Sequence, residues 1–476
     1  MRKMMTTRYL LIALATLALA ACAAGPDYVR PQAGISMQGR FIAARPTLTT
    51  PDAPQDGWWR LYQDPVLDGL VGDSLAANTD LRVALANLER ARAVLRESRT
   101  QMLPQTTVSA QPTYGRTSAI QRPPGQQAED WRIDTGLSVA YEVDLFGRVR
   151  RALEASRADA DAAAAAADAV RVSIVAETVR AYADASSAAE RIGVAERTLE
   201  LLDRTVDLTA KRFAAGRTSR LDVARVSALR NQQQATIPPL RAQRDAALFR
   251  LALLTGRAPA DLPPQVGQRA ATLRLDRPIP VGDGRALLAR RPDVREAERR
   301  LAAQTARIGV ATADLYPRIT LGGSVGSTGN TASNLFGAGP LNWVIGPLLN
   351  WAFPNMEAGR ARVAQAEAST RAALATFDGA VLKALQETET ALSAYAHTLE
   401  RRRALQAALE QARVAARISR AQLREGRADS LAVLDSERTL AGAEADLAGA
   451  DALVAASQID LFRALGGGWQ TPRATL

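Results

Sequence analysis

The stretch "WRIDTGLSVAYEVDLFGR", Trp131 to Arg148, decides how this chain is read. Its odd positions are Trp131, Ile133, Thr135, Leu137, Val139, Tyr141, Val143 and Leu145, mostly apolar. Its even positions are Arg132, Asp134, Gly136, Ser138, Ala140, Glu142 and Asp144, all small or polar. Side chains of a strand alternate between two faces, so this period predicts a strand with one apolar and one polar face. At Gly147 the pattern changes: no proline occurs from there to Gly216, and Ala, Arg, Glu and Leu predominate. That composition predicts helix.

Working outward, Thr106, Val108, Ala110, Pro112 and Tyr114 alternate with Gln105, Thr107, Ser109, Gln111 and Thr113. Further on, Ile319, Leu321 and Val325 alternate with Arg318, Thr320 and Ser324, and Leu341, Trp343, Ile345, Leu349, Trp351 and Phe353 share a face. Loops rich in Gly, Pro and polar residues separate the members of each pair, "GRTSAIQRPPGQQAED" (115–130) and "STGNTASNLFGAGP" (327–340). The chain therefore carries two β-hairpins, at 104–145 and 317–353, with strands of about ten residues. Strands of that length, apolar on one face and flanked by aromatics, match the wall of a transmembrane β-barrel. The alternation alone also fits two water-facing hairpins packed on helices. Four strands cannot close a barrel, and open edges do not survive in lipid. In the membrane reading one chain supplies part of a barrel, and a lumen wide enough for transport favours three chains or more.

The helical parts are duplicated. "KRFAAGRTSRLDVARV" (211–226) aligns with "AQLREGRADSLAVLDS" (421–436), placing Gly216, Arg217, Leu221 and Val223 on Gly426, Arg427, Leu431 and Val433 at an offset of 210. "LPQTTV" (103–108) aligns with "YPRITL" (316–321) at an offset of 213, and Gly147-Arg148 with Gly359-Arg360 at 212. One supersecondary unit is thus repeated. In each copy a long helix, on the order of 100 Å at 1.5 Å per residue, ends in a glycine turn and a second helix returns. Pro238-Pro239 should break or kink the first return helix. The resulting division is 1–21, signal peptide; 22–75, lipid-anchored N-terminal segment; and 76–256, first repeat, with β-hairpin 104–145 and helical hairpin 147–255. After a linker at 257–283 comes the second repeat at 284–465, with β-hairpin 317–353 and helical hairpin 356–465, and then a tail at 466–476.

The N-terminus reads as an export signal: Arg2, Lys3 and Arg8 precede an uncharged apolar segment from Tyr9 to Ala21. It ends in Leu19-Ala20-Ala21-Cys22, which resembles a bacterial lipobox and holds the only cysteine of 476 residues. The resemblance implies a thioether-linked lipid on Cys22 and cleavage before it; a stray cysteine in an ordinary signal peptide is the alternative. Ala23 and Ala24 follow without an acidic residue, which in Gram-negative lipoproteins implies forwarding to the outer membrane. No disulfide is possible in a chain with one cysteine. Of 60 basic residues the signal holds three, leaving 57 against 49 acidic, a net of +8. These charges are interspersed, with no basic block, which argues against a nucleic-acid partner. Past the signal no run of 18 apolar residues occurs, so no transmembrane helix is expected.

Several motifs together resemble the outer-membrane factors of tripartite efflux and secretion systems, the TolC-like family, in its NodT-type lipoprotein branch. They are Cys22 with Gly25-Pro26-Asp27-Tyr28 and Pro31; Trp58-Trp59 with Asp64-Pro65 and Leu67; and Tyr141-Glu142 through Asp144-Leu145-Phe146-Gly147-Arg148. Leu254-Thr255-Gly256, Leu287-Leu288 through Arg290-Arg291-Pro292-Asp293-Val294, and Tyr316-Pro317 complete the set. The resemblance implies a mostly α fold with a β-barrel part: a long α-helical hairpin barrel plus a transmembrane β-barrel, four strands per protomer. Trimerisation would close twelve strands and twelve helices, with residues 257–283 and the chain ends in an equatorial belt. It implies an outer-membrane protein that is lipid-anchored and extends into the periplasm, where it acts as a passive exit duct. An inner-membrane efflux pump and a periplasmic adaptor would deliver drugs or other small molecules to it.

The resemblance also suggests where partners and gates lie. The tips, with Phe213, Gly216 and Arg217 in one copy and Leu423, Gly426 and Arg427 in the other, would meet the adaptor. Family members often close the periplasmic end with aspartates about nine residues before the tip glycine. Asp207 holds that place before Gly216, but Arg417 stands at it before Gly426. A gate here would set three aspartates against three arginines, while Asp207 and Lys211, at i and i+4, could equally form a surface pair. Catalysis is not expected. The single histidine, His397, lies on a helix face, and no metal cluster, P-loop or cofactor motif occurs. Two other readings stay open: an exit duct for one-step protein secretion, and a lipid-anchored periplasmic scaffold or adaptor.

Overall fold

The computed structural model describes residues 23–467 apart from 33, 35–36, 55, 123, 126, 337–340, 426 and 428–429. The signal peptide, the lipidation residue Cys22, the tip residue Gly426 and all of the tail after Gly467 lie outside the described residues. In chain order the main elements begin with α1 (Pro65–Ala77), α2 (Thr79–Thr100), β1 (Gln105–Arg116), β2 (Glu129–Val143), α3 (Arg148–Ala214), α4 (Arg220–Ala235) and α5 (Ile237–Leu254). They continue with α6 (Gly284–Arg290), α7 (Pro292–Ala313), β3 (Arg318–Gly329), β4 (Leu341–Asn350), α8 (Glu357–Arg424) and α9 (Ser430–Ala464). The architecture is mostly helical with one principal sheet, and the order α–β–β–α–α recurs from α2 and from α7.

Local chemistry sets the boundaries. Asp144 caps α3 by accepting from the amides of Val149 and Arg150 at 3.0 and 2.9 Å. The turn before it needs Gly147 at φ +80°, in the left-handed region. At the other end of α3, Gly216 at φ +68° lets Arg217 N–H bond back to Arg212 O at 2.8 Å. The return limb of the first copy breaks at Thr236, where the amides of Pro238 and Pro239 are missing. The return limb of the second copy, α9, is unbroken.

Several elements differ from the sequence reading. β2 has 15 residues and β1 and β3 have 12 each, because the alternation runs on into the hairpin loops. β4 stops at Asn350, so Trp351 and Phe353 lie past its end, where they stack on each other at 4.7 Å. Each sheet hairpin is preceded by a 22-residue helix, α2 or α7, that strand alternation does not announce. The linker 257–283 holds two 3-10 turns, and its residues Ile279–Pro280 pair in parallel with Thr49–Thr50.

The compact units cut across the two repeats. One gathers the described residues of Met1–Pro31, Asn87–Ala164 and Glu296–Asp378; the other gathers those of Gln32–Ala86, Ala165–Arg295 and Gly379–Leu476. The first unit contains the sheet and the small Ala158–Ala302–Ala303 cluster under Tyr28. The second contains the main core, where Trp58 stacks on Phe462 at 4.6 Å among Leu67, Val179, Tyr182, Leu251 and Leu273. Two charged anchors inside that core, Asp64 and Arg291, are closely partnered. Buried Asp64 caps α1 and accepts from Tyr182 at 3.0 Å and Arg269 at 2.9 Å. Buried Arg291 donates to Ala464 O at 2.9 Å, Asp293 at 2.6 Å and Glu387 at 2.7 Å. Removing one member of such a set leaves a desolvated charge, which is why buried charges occur in closed networks.

Candidate functional site

The sheet is the surface with the most distinctive chemistry. Its strand order is β1-β2-β3-β4, antiparallel throughout, so the central β2–β3 ladder joins the two repeats. The register assembles the two faces row by row. On one face Val108, Leu137, Val325 and Trp343 lie side by side, then Thr106, Val139, Gly323 and Ile345, then Tyr141, Leu321 and Pro347. On the other face the rows are Ser109, Gly136, Gly326 and Asn342; Thr107, Ser138, Ser324 and Val344; and Gln105, Ala140, Gly322 and Gly346. Eight of those twelve are Gly, Ala or Ser, so that face is smooth and uncharged over three rows.

No described residue covers the apolar face. Val108 is 81% exposed, Ile345 77% and Trp343 71%. A contiguous apolar surface of that extent needs lipid or another chain against it. Aromatic residues mark both ends: Tyr114 packs on Trp131 at 5.6 Å, and at the opposite end Phe146 stacks on Tyr316 at 4.5 Å. Trp131 and Tyr141 lie ten residues apart on β2, about 33 Å of strand, which when tilted spans a bilayer's hydrocarbon. The outer strands β1 and β4 carry Pro112 and Pro347, and proline within sheets is largely confined to edges. No described helix is long and apolar enough to cross a membrane.

At the base of the sheet the chain's first described residues are held tightly. Ala24 N–H donates to Phe146 O at 2.9 Å. Arg151, almost fully buried, donates to Ala24 O at 3.3 Å, Gly25 O at 3.5 Å and Asp27 at 2.6 Å. A Cβ on Gly309 would fall 2.9 Å from Ala24 O, and one on Gly25 only 2.5 Å from the Gly309 Cα. Tyr28 donates to Glu298 at 2.5 Å. Burial pushes the Glu298 carboxyl up, but the hydrogen bonds from Arg299 and Tyr28 outweigh it and hold it below the usual range. This seat was not read from the sequence; the Gly-Pro-Asp-Tyr run marked the segment, but nothing local points to Gly309.

The tips and the suggested gate are in the second unit. Arg212 donates to Leu423 O at 3.3 Å, so the two turns are neighbours. Phe213, Gly216 and Arg217 are exposed, Leu423 is half-buried, and Arg427 lies 3.5 Å from Glu425. Asp207 is exposed and bonded to Lys211 at 2.6 Å, the surface pair of the simpler reading. Arg417 is exposed and makes no ion pair among the described residues, and no contact joins it to Asp207. His397 is exposed and bonded to Glu400 at 3.0 Å. Among the described residues no group of His, Cys, Asp and Glu could hold a metal ion.

A sheet with one lipid-compatible face, open edges and long helical hairpins defines a membrane-channel subunit of the outer-membrane type. The sequence model of the outer membrane efflux protein family matches residues 70–257 and 284–467. The chain is 31% identical over 480 residues to the toluene efflux pump outer membrane protein TtgF of Pseudomonas putida, covering 98% of each chain. It is 30% identical over 438 residues to nodulation protein T of Rhizobium leguminosarum bv. trifolii, covering 91% of each. The solved outer-membrane channel OprN superposes with a TM-score of 0.88 at 37% identity, over 94% of this chain and 100% of that one. The chain belongs to the outer membrane efflux protein family; it is an outer-membrane channel protein of an efflux system in a Gram-negative bacterium.

Proposed function

We propose that three copies close their sheets edge to edge into a twelve-stranded barrel above a twelve-helix tube, forming a passive exit duct. The observation that carries this is the four-stranded sheet whose apolar face and two edges meet no other described residues of the chain. In lipid those edges must pair with something, and identical chains supply β1 and β4 to each other. Cargo arrives from an inner-membrane pump through a periplasmic adaptor that meets the tips around Arg217 and Arg427. The adaptor role for the tips is supported by their side-by-side placement and exposure. The relation to a toluene efflux protein favours small molecules as cargo. The duct carries no catalytic chemistry of its own.

A lipid on Cys22 anchors each protomer. The seat formed by Phe146, Arg151 and Gly309 fixes Ala24 two residues further on, and supports an anchor held at the base of the sheet. Palmitate labelling lost in Cys22→Ser is expected; labelling that persists contradicts the anchor. The duct itself is tested by reconstituting the purified full-length protein in planar bilayers. Discrete single-channel conductance steps are expected, and their absence would overturn the reading.

A further inference from the structure

The polar face of the sheet carries most of its charges in compensated sets; Asp130, at the start of β2, accepts from Asn330 at 3.2 Å and forms no ion pair among the described residues. Arg132 and Asp134 sit two residues apart on β2, on the same face, with Nε 2.8 Å from Oδ2. Thr328, from the paired strand β3, donates to the same carboxylate at 2.8 Å and fixes its position. At the base, Glu142 accepts two bonds from Arg148, at 2.7 and 2.6 Å, and lies 4.0 Å from Arg318. Between these two levels lie the three uncharged rows.

We propose that Arg132 and Asp134 are a charge-compensating pair on the wall of the β-barrel lumen: each cancels the other, so that neither imposes an ionic preference of its own on passing cargo. The inference rests on the reading above, with the polar face turned to the lumen. As a contribution to stability the pair is minor, since both side chains are substantially exposed. Its effect on a permeating ion is different in kind. A paired Arg and Asp present a dipole whose field dies away within a few ångströms, whereas one unpaired charge reaches about a Debye length, roughly 10 Å at 0.1 M salt. Three-fold repetition would turn one unpaired residue into a ring of three like charges. Such a ring gives a wall potential of about one RT or more, which enriches counter-ions on the order of threefold.

The test is the reversal potential of the reconstituted full-length protein under a KCl gradient, for wild type, Arg132→Gln, Asp134→Asn and the double variant. Relative to wild type, Arg132→Gln should shift the permeability ratio toward potassium and Asp134→Asn toward chloride, each on the order of threefold at low salt. The double variant, which removes both charges, should return to the wild-type ratio. Single variants that conduct with an unchanged ratio, or that both shift the same way, overturn the pairing while leaving the channel intact. A wild type without any conductance overturns the channel reading and the pairing with it.

Discussion

The two helical hairpins derive from one repeated unit, yet they are fastened differently. In the first, α3 faces a return limb broken at Thr236, and the contact is made beside the break by Ile192, Ala195, Ile237 and Leu240. Its cross-links are exposed: Arg230 to Asp203 at 2.8 Å and Arg241 to Glu196 at 2.8 Å. In the second, α8 packs on the unbroken α9 through Leu409, Ala412, Ala416 and Leu440. Nearer its tip, Arg420 grips Glu437 with two bonds, the second at 2.6 Å, and Glu437 is only 7% exposed. The turns differ as well. Ser219 and Asp222 form a reciprocal capping box at the first, while Ala432 occupies the place of Asp222 in the second. Duplication preserved the hairpin while its described fastenings diverged: a reciprocal capping box marks the first turn, and a buried ion pair joins the limbs of the second.

The sharpest way to break this comparison is to remove one arginine from each hairpin. Arg420→Ala leaves the Glu437 carboxylate buried without its partner, and should cost about 1–3 kcal/mol of local stability. Arg230→Ala removes an exposed link and should cost about 0.2–1 kcal/mol. Hydrogen exchange of amides in α8–α9 and α3–α4 reads both; equal effects would remove the distinction.

A smaller effect should appear with pH. The side-chain hydrogen bond from Ser219, then that from Thr218, holds the Asp222 carboxyl below its usual range. A depressed pKa means the contribution is present above the unfolded value, about 3.9, and is lost as pH falls through the folded value. Acidification should therefore speed exchange at the start of α4. Exchange at the start of α4 that does not change through that pH range would contradict the assignment.

The contrast between local and distant signals also explains what the sequence disclosed. Strand alternation from Trp131 to Leu145, the repeated Gly-Arg turns and the Pro238-Pro239 break are all encoded within a few residues, and each was legible. Lys211 as the partner of Asp207 was legible for the same reason, at one helical turn. The ends of the strands were not, because alternation does not stop where pairing stops: Trp351 and Phe353 continue the period beyond Asn350. The seat of Ala24 against Phe146 and Gly309 was invisible because it joins residues more than a hundred positions apart. The compact units were hidden similarly, since each draws on both repeats.

The central claim is that one chain supplies a third of a closed barrel, and the native mass of the detergent-extracted full-length protein tests it most directly. Three chains of 50.8 kDa before processing are expected in each particle, with bound lipid and loss of the signal accounted for. A particle holding one or two chains, with β1 and β4 left unpaired or closed on eight strands, would contradict the account.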